Sequence, residues 1–155
     1  PVCFTHANAR SEHNSPRNKT DEAIRRLVAR GGVVGVNAFP HFFPKRFESG
    51  LDDYIDSIDY LVQMIGVDHV AIGTDFCMEQ PHSWFKWINS SHGMRPIDFP
   101  YSPDPYHHLR GLNDPTEVVN LAAGLLHRGY LPDDIRKVLG KNWLRLFSQV
   151  WSDES

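Results

Sequence analysis

The chain reads as an α/β protein built on a parallel sheet that is covered on both faces. Three apolar runs predict this: Val2-Cys3-Phe4-Thr5-His6, Val33-Val34-Gly35-Val36-Asn37 and Val70-Ala71-Ile72-Gly73-Thr74-Asp75. They are continuously apolar, the pattern of strands buried on both faces, and helical patterns occupy the gaps between them. Each run stops on a polar residue able to do chemistry. In barrels of alternating strands and helices, catalytic groups sit where strands end and the following loops begin. A complete (β/α)8 barrel takes about 250 residues, so three strands in 155 residues predict the C-terminal part of one barrel domain. The start at Pro1, inside a strand and without an initiator methionine or signal peptide, carries the same expectation of a longer polypeptide.

The elements follow in order. A polar loop runs from Ala7 to Lys19. Thr20 is the expected N-cap of a helix, with Asp21 and Glu22 in the first turn, where the helix dipole favours negative charge. Ala23, Ile24, Leu27 and Val28 form its apolar face, and Gly31-Gly32 stops it. The second strand runs from Val33 to about Ala38, followed by a loop to Gly50 rich in aromatics and proline. Leu51, Tyr54, Ile55, Ile58, Leu61, Val62 and Ile65 then keep helical spacing, ending at Gly66. The intervening Asp52, Asp53, Asp56 and Asp59 predict a solvated outer face rather than a metal site. The third strand, about His69 to Thr74, delivers Asp75.

Residues 77–115 are too many for an ordinary strand-to-helix connection. Their aromatic content argues against disorder and predicts an ordered insertion, either a lid beside the site or a subunit contact in a homodimer. Thr116 is the expected cap of a helix carrying Val118, Val119, Ala122, Leu125 and Leu126, ended by Gly129. Pro132 suits the first turn of another helix, before Ile135, Val138 and Leu139. Leu144, Phe147, Val150 and Trp151 predict the packed face of a final helix.

Composition excludes several functions. A formal charge of −3 without a basic stripe gives no general attraction to nucleic acid. No apolar stretch approaches the ~20 residues that span a bilayer, so no transmembrane segment is expected and a soluble protein is. Cys3 and Cys77 lie about two strand spacings apart, roughly 10 Å, which predicts free thiols.

Four residues stand out for chemistry. His6, at a rigid strand end before small polar residues, suits a zinc ligand; read alone, it fits a hydrogen-bonded barrel-mouth histidine better. Asp75 would be costly to bury after Val-Ala-Ile-Gly-Thr unless paired, protonated or near a metal. A base that handles the proton of a metal-bound water fits it, and a helix cap or arginine pair is the alternative. Arg10 and Arg17 follow His6, and either could grip a substrate carboxylate through two parallel hydrogen bonds. The other histidines show no ligand spacing, and the chain has no P-loop, no G-x-S-x-G and no G-x-G-x-x-G.

Several segments together resemble the membrane dipeptidase (renal dipeptidase) family. They are Pro1 to Arg10, Pro16-Arg17-Asn18, Gly31 to Asn37, Gly66 to Phe76, Leu126 to Tyr130 and Asp134 to Phe147, and the match whose order and spacing they define spans almost the whole chain except the loop after Asp75. The resemblance implies an amidohydrolase-type barrel of the metal-dependent hydrolase kind, with two Zn2+ ions bridged by a carboxylate and a hydroxide that attacks the carbonyl of a dipeptide substrate. It implies His6 as a ligand of the second zinc, Arg17 as the clamp on the substrate's terminal carboxylate, and Asp75 as the proton-transfer group. The family's remaining zinc ligands would lie upstream of Pro1, so this piece alone is expected to be inactive. The family often continues its aspartate as Asp-Phe-Asp-Gly, whereas here it reads Asp75-Phe76-Cys77-Met78 before the long insertion. Two other readings stay open: a non-catalytic barrel relative that binds a small ligand or partner, and a related metal-dependent hydrolase of another amide or a lactone. Arg17 separates the last, because a carboxylate clamp has little use for a neutral lactone.

Overall fold

A computed structural model describes residues 1–77, 80–81, 83–84, 87, 90 and 109–151. Most of the expected insertion, with its lid or subunit contact, lies outside the described residues.

Strands β1 (Cys3–Phe4), β2 (Val33–Val36) and β3 (Val70–Ile72) form one parallel sheet in the order β1-β2-β3. Cys3 is opposite Val33, Val34 opposite Val70 and Val36 opposite Ile72. The chain bends after β1 at Thr5 and His6, while beyond β2 and β3 pairing continues from the Gly73 amide to Val36 and from the Ala38 amide to Thr74, at 2.9 and 3.4 Å. Thr5 crosses the sheet there, and a Cβ at Gly35 or Gly73 would collide with its carbonyl oxygen. Glycine at both positions is what admits this close approach.

The two-residue period of the strands divides the core. Phe4, Val34, Val36, Val70 and Ile72 join the larger cluster, with Ile24 and Leu27 of α1 (Asp21–Val28) and Tyr54, Ile55, Ile58 and Leu61 of α2 (Leu51–Ile65). Leu121 and Leu125 of α3 (Val118–His127) and Ile135 of α4 (Pro132–Arg136) complete it. On the opposite face, Cys3, Val33 and Ala71 meet Trp143 and Leu146 of α5 (Asn142–Val150). The sheet is thus covered on both faces, as the unbroken apolar runs require.

Local signals act as expected in the first half. The Thr20 hydroxyl accepts from the Ala23 amide at 3.2 Å and opens α1. Gly31 and Gly66 take the left-handed φ values of 76° and 84° after α1 and α2. The acidic positions of α2 are not simply solvated. Asp53 accepts from the Gly50 amide and pairs with Lys45, while Asp56 and Asp59 both pair with Arg128, at 2.7 and 2.8 Å. They fasten α2 to the end of α3.

Three expectations in the last third are corrected. Asp114, not Thr116, is the cap: its carboxylate accepts from the Thr116 amide and hydroxyl at 2.7 and 2.6 Å, because Pro115 takes the first turn of the short 3-10 segment before α3. In α3 itself Val119 and Leu126 are exposed, and Leu121 packs with Leu125 instead. The largest departure is α5, where Leu144, Val150 and Trp151 are exposed and Phe147 only partly covered. Polar docking sets the rotation of that helix. Asn142 donates to the Val67 and Val70 carbonyls at 2.7 and 2.8 Å, and the Trp143 indole to Ile72 at 2.8 Å. The last two acceptors lie on the edge of β3 turned away from β2, so α5 satisfies strand carbonyls that β2 does not. Trp143, Phe147 and Trp151 then stack along the helix at centroid distances of 5.9 and 4.6 Å.

Both cysteines are free, and burial pushes the Cys3 thiol up. Among the described residues no helix is long and apolar enough to cross a membrane.

Candidate active site

His6, Asn37 and Asp75 follow the carboxyl ends of β1, β2 and β3, and the parallel register brings the three ends to one side of the sheet. The ladder continues briefly past β1, where the Ala7 amide donates to Gly35 at 2.8 Å. His6 is exposed. Its Nδ1 lies 2.8 Å from the Thr5 hydroxyl, an interaction that orients the ring and leaves Nε2 for an outside partner.

Asp75 sits at φ 61°, in the left-handed region that few residues other than glycine adopt. Its carboxylate accepts from the Asn37 side-chain amide at 3.3 Å. The Cys77 thiol donates to the Asp75 carbonyl at 3.4 Å, and burial, aided by the Asp75 charge, pushes that thiol up. Cys77 is therefore a poor nucleophile.

Asn37 and Asn8 are buried, whereas His6 and Asp75 at the same edge are exposed. The Asn37 amide N–H donates to the Asn8 side-chain oxygen at 2.8 Å, and Asn8 Nδ2 donates back to the Asn37 carbonyl at 3.2 Å. Asn37 Oδ1 in turn accepts from the Phe39 amide. Asn8 also accepts from the Lys19 amide at 2.9 Å, which ties the base of the 7–19 loop to the strand end.

The two loop arginines are used differently. Arg10 spends its guanidinium on main-chain carbonyls, two bonds to Asn18 and one to Pro16. Arg17 is exposed, and its guanidinium carbon lies 5.7 Å from the centre of the Phe42 ring. Asn18 pins the loop beneath it by donating to the His13 and Phe42 carbonyls. Glu12 braces the same loop against α2 by accepting from Ser57 at 3.1 Å. Burial pushes its carboxyl up to about 7, with Asp56 and Asp21 adding to the effect and the Ser57 hydroxyl opposing it.

Among the described residues His6, Asp75 and Arg17 are not paired with one another: Asp75 is bonded to Asn37, His6 to Thr5, and Arg17 lies over the Phe42 ring. The set supplies one imidazole donor, one carboxylate and one guanidinium. The neutral imidazole fits a single zinc coordination position. Among the described residues no three His, Cys, Asp or Glu side chains converge as a metal cluster. A groove of about 540 Å³ lies among Lys45, Asp53 and Arg110 at the start of α2 and includes none of the three residues. Asn8 was missed by the sequence reading and Asn37 was seen only as a strand-end residue without a role. The available signal was an amide side chain interrupting an apolar run.

A parallel α/β unit with imidazole, carboxylate and guanidinium groups around its strand ends has the makings of a hydrolase site. The profile of the membrane dipeptidase family (peptidase family M19) matches residues 1–84 and 78–154, and the chain belongs to that family. It is 32% identical to the dipeptidase ataJ of Aspergillus terreus, over 97% of this chain and 31% of that protein. The solved amidohydrolase of Pseudomonas aeruginosa superposes with a TM-score of 0.90 at 34% identity, over 99% of this chain and 46% of the other. A metallopeptidase of Rhodobacter sphaeroides, solved with a phosphinate mimic of the dipeptide L-Ala-D-Ala, gives 0.74 at 26% identity, over 97% and 36%. The chain spans less than half the length of each of these relatives.

Proposed function

We propose that the chain is the C-terminal portion of a (β/α)8-barrel metallodipeptidase, spanning residues 1–155 with 77–115 inserted after the last barrel strand. The full-length enzyme hydrolyses the peptide bond of small dipeptides. The observation that carries this reading is the placement of His6 and Asp75 at the carboxyl ends of parallel strands, with the loop bearing Arg17 tied to the same edge through Asn8. The Rhodobacter relative's dipeptide mimic supports a dipeptide substrate, including one with a D-residue at its carboxyl end.

His6 would hold one of two Zn2+ ions through Nε2, with Thr5 orienting the ring. Bound zinc would lower the pKa of water toward 7 and polarise the scissile carbonyl. Arg17 binds the terminal carboxylate of the dipeptide with its planar fork, held flat by the Phe42 ring. Asp75 takes a proton from the attacking water and returns it to the leaving amine. The other metal donors lie on the part of the barrel outside these 155 residues, so this piece alone neither holds two ions nor turns over substrate.

His6→Ala in the full-length enzyme should abolish dipeptidase activity and remove about one zinc equivalent, since a lost protein ligand opens that coordination position. Unchanged zinc by elemental analysis would overturn the ligand assignment. Asp75→Asn should keep its zinc and slow turnover by about 10²–10⁴-fold, the range of general acid–base assistance.

A further inference from the structure

We infer that Asn37 is a positioning residue for Asp75, itself held in place by Asn8, so that the carboxylate meets the substrate in a single orientation. The inference rests on the proton-transfer role proposed for Asp75.

Asn37 is fully buried, and its amide can point only one way. Phe39 donates its backbone N–H into Oδ1, so the amino group is the end that faces Asp75. Turning the amide over would set donor against donor at Phe39 and acceptor against acceptor at Asp75. The backbone beneath it is equally constrained. Asn8 pairs with both the N–H and the carbonyl of Asn37, as a neighbouring strand would, at a point where the β1 ladder has ended. The donor offered to Asp75 is therefore preorganised by three further hydrogen bonds, none of which involves Asp75.

Asp75 itself is exposed, stands at φ 61° and has no rigid strand around it. Among the described residues, Asn37 is the one side chain bonded to its carboxylate. That bond engages Oδ2, and among the described residues no side chain is bonded to Oδ1. An exposed carboxylate without the bond would sample several rotamers, and a small misplacement of a proton-transfer group costs rate rather than binding.

The test is a double-mutant cycle on the full-length, zinc-loaded enzyme, with L-Ala-D-Ala as substrate. Asn37→Leu keeps the approximate shape without a donor or a charge, and Asn37→Ala removes the whole amide. Either should lower kcat by about ten- to a hundredfold, leave KM within about twofold and keep both zinc equivalents. In an Asp75→Asn background the same changes should cost less than about twofold, because residues acting through one group are non-additive. A full, multiplicative loss in that background would overturn the inference, as would lost zinc or a change confined to KM. If Asn37→Ala does not fold, the near-isosteric Asn37→Leu decides alone. Wild-type turnover by Asp75→Asn would instead overturn the role of Asp75, and the positioning role with it.

Discussion

Replacing Glu12 by glutamine tests how the loop that carries Arg17 is attached to the rest of the protein. Glu12 is half-buried, accepts from Ser57 of α2 through one oxygen, and has no partner for the other. Burial, with Asp56 and Asp21 nearby, pushes its carboxyl from 4.5 up to about 7. Between those values the native protein keeps a proton that the unfolded chain has released, so stability falls as pH rises through the window. Such a displacement corresponds to about 3 kcal/mol at full effect. Solvent reaching the half-buried side chain reduces this to about 1–2 kcal/mol. Glutamine preserves the acceptor for Ser57 and cannot ionise. Glu12→Gln should therefore be more stable than wild type at pH 8, with the gain shrinking by about 1 kcal/mol at pH 5. In thermal melts this is about 2–4 °C per kcal/mol for a domain of this size. Equal melting shifts at the two pH values, or a destabilised variant at pH 8, would refute the reasoning.

Arg17→Ala in the full-length enzyme should raise KM for dipeptides by about 10–100-fold, the worth of a charge-assisted pair of hydrogen bonds, with kcat little changed. An unaltered KM would remove the clamp. Asn142→Leu leaves the Val67 and Val70 carbonyls without their side-chain donor in a buried position, and should cost about 2–4 kcal/mol in a denaturation curve. A loss below about 1 kcal/mol would mean that α5 is not held by this contact.

Much of the fold was legible because it is written in contiguous residues. The spacing from Leu51 to Ile65 marks both ends of α2, and Thr20 opens α1 where its hydroxyl reaches the Ala23 amide. The strand ends that present His6 and Asp75 follow from apolar runs that stop. The chemical types at the site were legible too; spacing alone left Arg10 and Arg17 equivalent, and the family resemblance singled out Arg17. Both arginines occupy one polar loop, and only the folded path of that loop places the Asn18 and Pro16 carbonyls around Arg10 while leaving Arg17 exposed.

By itself the sequence determined the strand–helix alternation, the parallel sheet covered on both faces, and the polar groups set at strand ends. Those properties depend on side-chain periodicity and caps, which act over a few residues. Tertiary structure alone decided the rotation of α5, which turns a predicted core face to solvent, and the Asn8–Asn37–Asp75 chain behind the carboxylate. Each rests on hydrogen bonds between residues far apart in sequence, 72 positions for Asn142 with Val70, 29 for Asn8 with Asn37 and 38 for Asn37 with Asp75. A buried donor or acceptor must find a partner wherever packing offers one, and no local pattern names that partner.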